Sequence, residues 1–224
     1  MPLEPFNNPD ENVLEIGVDE VGRGPMFGRV YSAAVILPKD NSFKHDLMKD
    51  SKKFTSWKKL KETADYIKEN CIKYEISYQD EKSIDENNIL NATHKAMHEA
   101  IKKIFDHENT YCILVDGNNF KPVTYFDKNT ETIKTIDSVC VIGGDNKYSS
   151  IAAASILAKV ERDLYIEEMC KKYPKLNELY DLLKNKGYGT KKHIEGIKTH
   201  GITIWHRKTF GICKTSNIID ISEN

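Results

Sequence analysis

Four acidic residues follow apolar stretches of the sequence that have the composition of buried strands. Asp19 and Glu20 come directly after "VLEIGV", Asp116 ends "YCILVD", and Asp145 follows "VCVIGG". Ligands and catalytic groups gather beside the carboxyl ends of the strands in α/β sheets. We therefore expect the four carboxylates to converge in one small volume.

Carboxylates that lie so close repel one another unless a positive charge lies between them. The natural partner is a hard divalent cation, Mg²⁺ or Mn²⁺, which prefers carboxylate and water oxygens. Two such ions about 3.5–4 Å apart form the clamp of many nucleases, in which one activates water and the other stabilises the leaving oxygen. Any one of these acids alone is more often a turn former or a helix cap, but their recurrence at strand ends favours a metal site.

A glycine-punctuated turn, "GRG" at 22–24, lies beside the acidic pair. Glycine adopts unusual backbone angles and lets amide groups approach a ligand closely, as loops that contact phosphates or sugars require. A tight hairpin turn would explain the same residues.

The elements that must position these residues begin as strands. The glycine turn joins predicted strands over "VLEIGVD" and "RVYSAAVIL", and "IKYEISYQ" alternates as an edge strand does. Two further strands are expected at "YCILVDG" and "TIDSVCVIGGD", with a hairpin or loop over 118–133. Ser56 is expected to cap a helix over "SWKKLKETADYIKEN", and 85–105 to form a long helix.

The C-terminal third is predicted to be helical. Residues 147–170 form an alanine-rich helix in this interpretation, and Thr190 caps a short helix within "GYGTKKHIEGIKTHG". We also expect helices over "KLNELYDLLKNK" and "ITIWHRKTFG". The pattern as a whole predicts an α/β sheet that carries a helical C-terminal extension.

Length and composition narrow the class of protein. A chain of 224 residues suits one domain, or one domain with a small appendage. It shows no apolar run of membrane-spanning length and no secretory leader, so we expect a cytoplasmic protein, or a nuclear one if the source has a nucleus. The five cysteines form no Cys-x-x-Cys pair, which predicts reduced, structural thiols.

Charge is unevenly distributed although the net charge is −1. Between Glu168 and Lys214, eleven Lys or Arg stand against four Asp or Glu, and a second basic cluster surrounds "DSKKFTSWKKLK". Two basic segments on an otherwise acidic chain could bind a polyanion. Solvated lysine-rich helix faces are the alternative explanation.

Eight short motifs occur together and in order along the chain. They are "DEVGRGP" at 19–25, "DSKKFT" at 50–55, "NILNATHKAM" at 88–97, "LVDGN" at 114–118, "GGD" at 143–145, "SSIAAASILAKVERD" at 149–163, "GYGTKKHIEGI" at 187–197 and "HRKTF" at 206–210. This set resembles that of the ribonuclease HII family over residues 13 to 213. The resemblance implies an RNase H-like mixed sheet flanked by helices, with a catalytic domain over 12–170, a helical substrate-binding extension over 171–214, and loose termini at 1–11 and 215–224.

The resemblance also implies an endoribonuclease that cuts RNA in RNA/DNA hybrids and incises duplex DNA 5′ of an embedded ribonucleotide. Asp19, Glu20, Asp116 and Asp145 match the family's catalytic carboxylates, which bind Mg²⁺ or Mn²⁺, with two ions expected. We expect a monomer that binds no membrane. The tail "KTSNIIDISEN" holds no convincing peptide for a replication clamp.

Further positions match the family's substrate contacts. Gly22, Arg23 and Gly24 match the loop that senses the 2′-hydroxyl through its backbone, and that hydroxyl is what distinguishes a ribonucleotide from a deoxyribonucleotide. Tyr188 matches the tyrosine that stacks on the sugar at the RNA–DNA junction. The positions that match phosphate contacts are Ser51, Lys52, Ser155 and Lys159.

Phe27 and Arg29 depart from the family pattern, which usually has small residues and proline there. Phe27 is similar to the corresponding residue of ribonuclease HIII, so a HIII-like enzyme that needs longer RNA tracts is one alternative. The other is an inactive hybrid-binding protein. Asp163 is interpreted as a structural ion-pair partner, and the three C-terminal histidines as surface or core residues, because imidazole is a poor ligand for Mg²⁺: His193, His200 and His206.

Overall fold

The structure is a computed structural model that describes residues 3–40 and 42–221. The strands within these residues are β1 (Val13–Val21), β2 (Val30–Ile36), β3 (Lys73–Gln79), β4 (Thr110–Asp116), β5 (Thr124–Asp127), β6 (Thr132–Thr135) and β7 (Asp137–Val141). Five of them form one sheet in the order β3-β2-β1-β4-β7, and β5 pairs with β6 as a separate antiparallel hairpin. The five predicted strands are therefore confirmed, and the segment predicted as a hairpin or loop over 118–133 contains most of the β5–β6 hairpin, which ends at Thr135.

The helices are α1 (Trp57–Asn70), α2 (Glu81–Ile104), α3 (Ser149–Lys172), α4 (Lys175–Tyr180), α5 (Leu182–Asn185) and α6 (Lys191–His200). Short 3-10 helices lie at His45–Leu47, Ser51–Lys53, Gly144–Asn146 and Gly211–Thr215. The predicted caps are confirmed, because the hydroxyls of Ser56 and Thr190 accept hydrogen bonds from backbone N–H groups in the first turns of α1 and α6. None of the helices in the described residues is long and apolar enough to cross a membrane.

The long predicted helix at 85–105 is present but interrupted. Asn88 has φ 63° and ψ 162° inside α2, a positive φ that is uncommon for any residue other than glycine and that breaks the helical path. Its side-chain oxygen accepts from the N–H of Asn91 at 3.0 Å. The second half of α2 therefore begins with a cap of its own.

The helix predicted over "ITIWHRKTFG" is wrong. Residues 202–210 form turns and isolated bridges, in which Phe27 pairs with His206 and Ile202 with Ile218. Ile202, Thr203 and Ile204 are β-branched, which lowers helix propensity. Their apolar and basic composition resembles that of an amphipathic helix, but the segment uses its backbone groups in contacts with other segments.

The chain forms two compact units. The first comprises Met1–Val21, Ser32–Ser77 and His94–Val160, and the second comprises Gly22–Tyr31, Tyr78–Thr93 and Glu161–Asn224. Each unit is assembled from three separate segments of the chain. The division into a domain at 12–170 and an extension at 171–214 remains a prediction.

The core of the first unit lies on both faces of the sheet. On one face, Ile16 and Val18 of β1 and Ile113 of β4 pack with Met97 and Ile101 of α2. On the other face, a smaller cluster joins β4, β7 and α3 through Leu114, Val141 and Ile151. Alternate residues of β4 thus serve opposite faces, as the two-residue period of a strand requires. Helices on both faces of a mixed sheet confirm the predicted α/β class.

Close approach of α3 to the sheet depends on a glycine in β1. A Cβ atom added to Gly17 would lie 2.2 Å from the backbone carbon of Ser150. The absence of a side chain lets the first turn of α3 lie directly against the strand that carries Asp19.

Candidate active site

Three parallel strands place the acidic residues at one edge of the sheet. β1 pairs in parallel with β4 in the register Val18↔Val115. Asp19 and Asp116, the next residue of each strand, therefore lie at the same level on neighbouring strands. β4 pairs in parallel with β7, with Asp116 opposite Val141. Asp145 lies in the 3-10 helix that follows β7. The predicted convergence of strand ends is therefore present in the first unit.

Asp19 is a buried carboxylate with a well-defined hydrogen-bonding environment. It accepts from the N–H of Glu20 at 2.7 Å, and the hydroxyl of Ser155 also bonds to it. Burial raises its pKa well above the usual value, and the neighbouring charges of Glu20 and Asp116 raise it further, against the opposing effect of Ser155. Both effects destabilise the anion, as expected where carboxylates crowd together out of water.

Asp116 connects β4 to the turn that carries Asp145. Its Oδ1 accepts from the N–H of Gly144 at 2.7 Å. Gly143, just before that turn, has φ 64° and begins the 3-10 helix in a left-handed conformation. The "GGD" motif therefore turns the chain back toward the end of β4, which explains why the fourth acid lies beside Asp116 despite the hairpin between them in the sequence.

Asp145 is buried beside an acid that the sequence analysis missed. Burial raises the pKa of Asp145, and the charges of Asp50 and Asp116 raise it further, whereas Asn146 and Lys52 oppose these effects. The amide of Asn146 donates to Asp145 at 2.9 Å and to Asp50 at 3.4 Å. Asp50 opens the motif "DSKKFT", but it follows no strand, so the signal that identified the other acids does not identify it.

The chemistry of these donors fits a hard divalent cation. Within residues 3–40 and 42–221, no three His, Cys, Asp or Glu side chains already stand in the geometry of a metal site. The side chains at the edge are carboxylates, and burial, followed by repulsion from neighbouring carboxylates, raises the pKa values of Asp19 and Asp145. A cation between them would relieve that repulsion, and oxygen ligands are those that Mg²⁺ and Mn²⁺ prefer.

The residues matched to phosphate contacts differ in burial: the two serines are buried, and the two lysines are at least partly exposed. Ser51 and Ser155 are buried, and their hydroxyl oxygens lie 3.0 Å apart. Because Ser155 also bonds to Asp19, this pair supports a carboxylate. Lys52 is exposed and close enough to Asp145 to lower its pKa, and Lys159 is half-buried one turn beyond Ser155 in α3.

The glycine turn belongs to the second unit, where buried Arg207 binds its carbonyl groups and buried Arg162 binds carbonyls of the segment that follows it. Arg207 donates through Nε to the carbonyl of Gly28 at 2.8 Å, through Nη1 to that of Arg23 at 3.0 Å, and through Nη2 to that of Gly22 at 2.6 Å. Arg162 donates to the carbonyls of Phe27 at 3.4 Å and Arg29 at 3.3 Å.

The position of Arg162 leaves no room for a side chain at Gly22. Gly22 has φ 93°, and a Cβ there would lie 2.3 Å from Nε of Arg162. Burial lowers the pKa of both guanidinium groups, that of Arg207 to about 9 with a further contribution from Arg162. Sequence reasoning missed both arginines as contributors to the site, because each reaches the turn from a distant motif, "VERD" or "HRKTF".

Tyr188 lies beside the glycine turn within the second unit. Its side chain is 45% exposed, and a Cβ on Gly24 would lie 3.4 Å from its Cε1 atom. Two backbone bonds hold the surrounding segments together, since the N–H of Met26 donates to Gly187 at 2.9 Å and that of Gly28 donates to Trp205 at 2.8 Å. The structure thus brings together two motifs that the sequence assigned to sugar recognition.

The two departures from the family pattern are accommodated within the second unit. Phe27 is fully buried and packs edge-on against His206, with ring centroids 5.1 Å apart. The guanidinium of Arg29 lies 4.0 Å from the ring centroid of Tyr78 and 4.5 Å from that of Tyr165. Phe27 is therefore part of the packing around His206, and Arg29 is held by cation–π contacts with two tyrosines.

The histidines differ from one another in environment. His200 is exposed at the end of α6, whereas His193 and His206 are fully buried. Asp163 is buried as well. Burial lowers the pKa of the adjacent Arg162, and the charges of Tyr188 and Asp163 oppose this effect.

Comparison with known proteins agrees with this architecture. The family model for Ribonuclease HII matches residues 16–213. A ribonuclease HII from Phocaeicola vulgatus is 41% identical over 219 residues, covering 98% of both chains. One from Bacteroides thetaiotaomicron is 43% identical over 210 residues, covering 94% of both.

Solved structures share the fold at lower identity. The RNase HII in a complex with PCNA from Archaeoglobus fulgidus aligns with a TM-score of 0.68 at 23% identity, covering 89% of this chain and 96% of that one. Bst-RNase HIII in complex with Mn²⁺ aligns with a TM-score of 0.56 at 16% identity, covering 84% and 70%.

The mixed sheet, the acids at its strand ends and these similarities define an enzyme with the RNase H-like fold, as predicted. The chain belongs to the ribonuclease HII family. It is accordingly a ribonuclease H, a hydrolase of a family that depends on divalent metal ions and acts on RNA/DNA hybrids.

Proposed function

We propose that this ribonuclease incises duplex DNA 5′ of a single embedded ribonucleotide, in addition to cutting longer RNA/DNA hybrids, and leaves 3′-hydroxyl and 5′-phosphate ends. The observation that carries the proposal is the position of the Tyr188 ring beside Gly24. An exposed aromatic ring provides a surface for stacking. A glycine backbone provides polar groups that can reach a 2′-hydroxyl without crowding.

The turn is well suited to this recognition because its backbone is held rigidly. Arg207 occupies the carbonyls of Gly22 and Arg23 from the buried side, whereas Arg23 and Gly24 are exposed. A preorganised loop loses little entropy when it binds. Discrimination between a 2′-hydroxyl and a hydrogen rests on such fixed polar groups, because a site built to bond a hydroxyl loses those bonds when it is missing.

The metal ions of the reaction, two in this proposal, would be held by Asp19, Glu20, Asp116 and Asp145. When bound, they supply an activated water and stabilise the departing oxygen. The protein's own contribution is to hold Asp19 through Ser155 and to hold the Asp145 turn through Asp116. Lys52 and Lys159, together with the hydroxyls of Ser51 and Ser155, are proposed to contact phosphates of the substrate.

A HIII-like preference for longer RNA tracts is the second candidate, and the observation that favours it is Phe27. The side chain is fully buried three residues after Gly24 and packs against His206, so its size affects the packing of the segment that follows the turn. An inactive hybrid-binding protein is disfavoured, because no acid of the proposed metal site is substituted. We further propose that the enzyme acts as a cytoplasmic monomer.

Cleavage of two labelled duplexes tests the proposal. One carries a single ribonucleotide in DNA and the other is a long RNA/DNA hybrid, and each is incubated with Mg²⁺, Mn²⁺ or a chelator. We expect a nick 5′ of the single ribonucleotide with either metal and none with the chelator. Cleavage of the long hybrid alone would support the HIII-like alternative, and binding without cleavage of either duplex would support the inactive one.

A further inference from the structure

Two buried histidines of the second unit form a hydrogen-bonded chain that ends on the backbone of Tyr188. The Nε2 atoms of His193 and His206 lie 3.1 Å apart. Nδ1 of His193 lies 3.0 Å from the carbonyl oxygen of Tyr188. At the other end, the backbone N–H of Thr203 donates to Nδ1 of His206 at 3.0 Å.

The ends of this chain determine where its protons lie. A backbone N–H is always a donor, so Nδ1 of His206 accepts and the proton of the neutral ring lies on Nε2. That proton is donated to Nε2 of His193, which leaves the Nδ1–H of His193 to donate to the carbonyl of Tyr188. Protonation of both facing Nε2 atoms would set two donors against each other.

The surroundings of the two imidazole rings keep both of them uncharged. Both imidazoles are fully buried, and burial lowers both pKa values, that of His206 to about 3. The titratable side chain packed against both rings is Tyr180, with centroids 5.8 Å and 4.8 Å away. Burial raises its pKa to about 12, so it carries no charge at neutral pH.

Backbone bonds already hold Tyr188, because its N–H donates to the carbonyl of Asn185 at 3.0 Å, and the histidine chain adds a further bond to this residue. Gly187, which precedes it, has φ 85°, and the Tyr188 carbonyl also accepts from the N–H of Thr190 at 2.8 Å. The bond from His193 lies on the peptide plane that follows Tyr188. It therefore helps to fix the direction in which the tyrosine side chain leaves the backbone.

We propose that His193 and His206 are positioning residues for Tyr188, holding its ring beside Gly24 in the orientation that stacks on the sugar at the RNA–DNA junction. This inference rests on the function proposed for Tyr188. Neither histidine touches the substrate, and both act through the backbone of the tyrosine.

A pair of conservative substitutions separates positioning from simple structural support. In His193→Asn the amide nitrogen takes the place of Nδ1 and can still donate to Tyr188. In His193→Gln the amide takes the place of Nε2, so the contact with His206 survives and the bond to Tyr188 is lost. His200→Gln, at an exposed position of the same helix, is the matched control.

We expect His193→Gln to lower kcat/KM roughly tenfold on the single-ribonucleotide duplex and less than about threefold on a long hybrid, since misplaced positioning groups cost most where alignment matters. His193→Asn should stay within about threefold of wild type on both substrates. Equal losses on the two substrates, or an Asn variant as impaired as the Gln variant, would overturn the proposal.

A double variant tests whether the histidine acts through the ring. If it does, Tyr188→Ala/His193→Gln should be no slower than Tyr188→Ala alone, because residues in one network are not additive. Independent, multiplicative losses would show that His193 acts by another route.

Nuclear magnetic resonance of the free protein keeps this inference distinct from the proposed function. Imidazole ¹⁵N signals should show His206 protonated at Nε2 and His193 at Nδ1. The amide signals of Tyr188 and Gly189 should shift in His193→Gln but not in His200→Gln. If the wild-type enzyme does not cleave the duplex at a single ribonucleotide, the proposed function is refuted. If the histidine tautomers are reversed, or the Tyr188 signals do not shift in His193→Gln, the inference is refuted.

Discussion

The Nη2 atom of Arg207 donates to the carbonyl of Gly22 at 2.6 Å, joining residues that lie 185 positions apart in the sequence. The same guanidinium also bonds the carbonyls of Arg23 and Gly28. One side chain therefore shapes the turn that follows the acidic pair. Arginine suits this role because its planar group presents several donors in a fixed geometry, which the single ammonium of lysine cannot match.

Replacement of Arg207 by lysine should lower both the stability of the fold and the preference for a single embedded ribonucleotide. Bonds to a charged donor contribute about 1.5–3 kcal/mol each, and lysine can replace only part of the set, so we expect the free energy of unfolding to fall by about 2–4 kcal/mol. Urea denaturation measures this loss. Lys208→Gln, at the exposed neighbouring position, should change it by less than about 0.5 kcal/mol.

Relative to wild type, Arg207→Lys should lose more activity on the single-ribonucleotide duplex than on a long hybrid. If Arg207→Lys retains both its stability and its substrate ratio, the arginine does not hold the turn.

Substitution of Asp116 by asparagine should remove cleavage while leaving the fold intact. The amide oxygen can still accept from the N–H of Gly144, so the turn that carries Asp145 is preserved, but the charge for metal binding is lost. We expect less than about a tenth of the wild-type rate, a barrier increase above about 1.4 kcal/mol, with duplex binding retained. Asp137→Asn, at an exposed acid that begins β7, is the control.

Mn²⁺ titration by calorimetry provides a second measurement on the same variants. Asp116→Asn should bind Mn²⁺ more weakly than wild type, and Asp137→Asn should bind it equally well. A fully active Asp116→Asn enzyme would move this residue out of the metal site.

The carboxylate edge was predictable because its cause is local. Asp19 and Asp116 each end an apolar run, and parallel strands bring their ends to one edge whatever lies between them. Asp50 was not predictable in this way, since it precedes a short 3-10 helix and approaches Asp145 only in the folded chain. The motif resemblance marked its segment but gave the aspartate no role.

The supports of the glycine turn were hidden from the sequence for a different reason. Arg207 and His206 stand in a segment whose apolar and basic residues resemble a helix, and the helix prediction there was wrong. Their partners are backbone carbonyls and another histidine, which leave no pattern in a single sequence. Long-range hydrogen bonds to backbone groups are a property of the fold, and only coordinates reveal them.

The basic character of the C-terminal segment should appear in the salt dependence of binding. Lys191 and Lys192 are exposed at the start of α6. Each phosphate contact that is lost lowers the slope of log affinity against log salt by about 0.9 for a duplex. If both lysines contact phosphates, Lys191→Gln/Lys192→Gln should reduce that slope by about 2. An unchanged slope, measured by fluorescence anisotropy, would mean that these lysines form only a solvated helix face.

Tyr188 should prove a residue of recognition and not of metal chemistry. Removal of a stacking ring costs about 1–3 kcal/mol, so Tyr188→Ala should lower activity on a single ribonucleotide roughly ten- to a hundredfold. Tyr188→Phe keeps the ring and should be mild. A long hybrid offers no DNA sugar at most sites and should be cut with a smaller loss. Equal losses on both substrates, in a normally folded variant, would assign Tyr188 a general role in the site.

The buried histidine pair should make stability depend on pH. Burial, and then the facing His193, lowers the pKa of His206 from 6.5 to about 3. Between these values the unfolded chain binds more protons than the folded one. The stabilisation from a neutral His206 is therefore complete above pH 6.5 and is lost as the pH falls toward 3. One group of this kind changes the free energy of unfolding by about 1.4 kcal/mol per pH unit, or about 2 kcal/mol between pH 6.5 and 5.

Urea denaturation at pH 7.5 and pH 5 measures this change. His206→Gln should be less stable than wild type at pH 7.5, because the series of hydrogen bonds from Thr203 to Tyr188 is interrupted. Its stability should nevertheless fall less than that of wild type when the pH is lowered. His200→Gln should retain the full wild-type dependence, because His200 is exposed. A His206→Gln variant that loses as much stability as wild type between the two pH values would show that groups other than this pair titrate on unfolding.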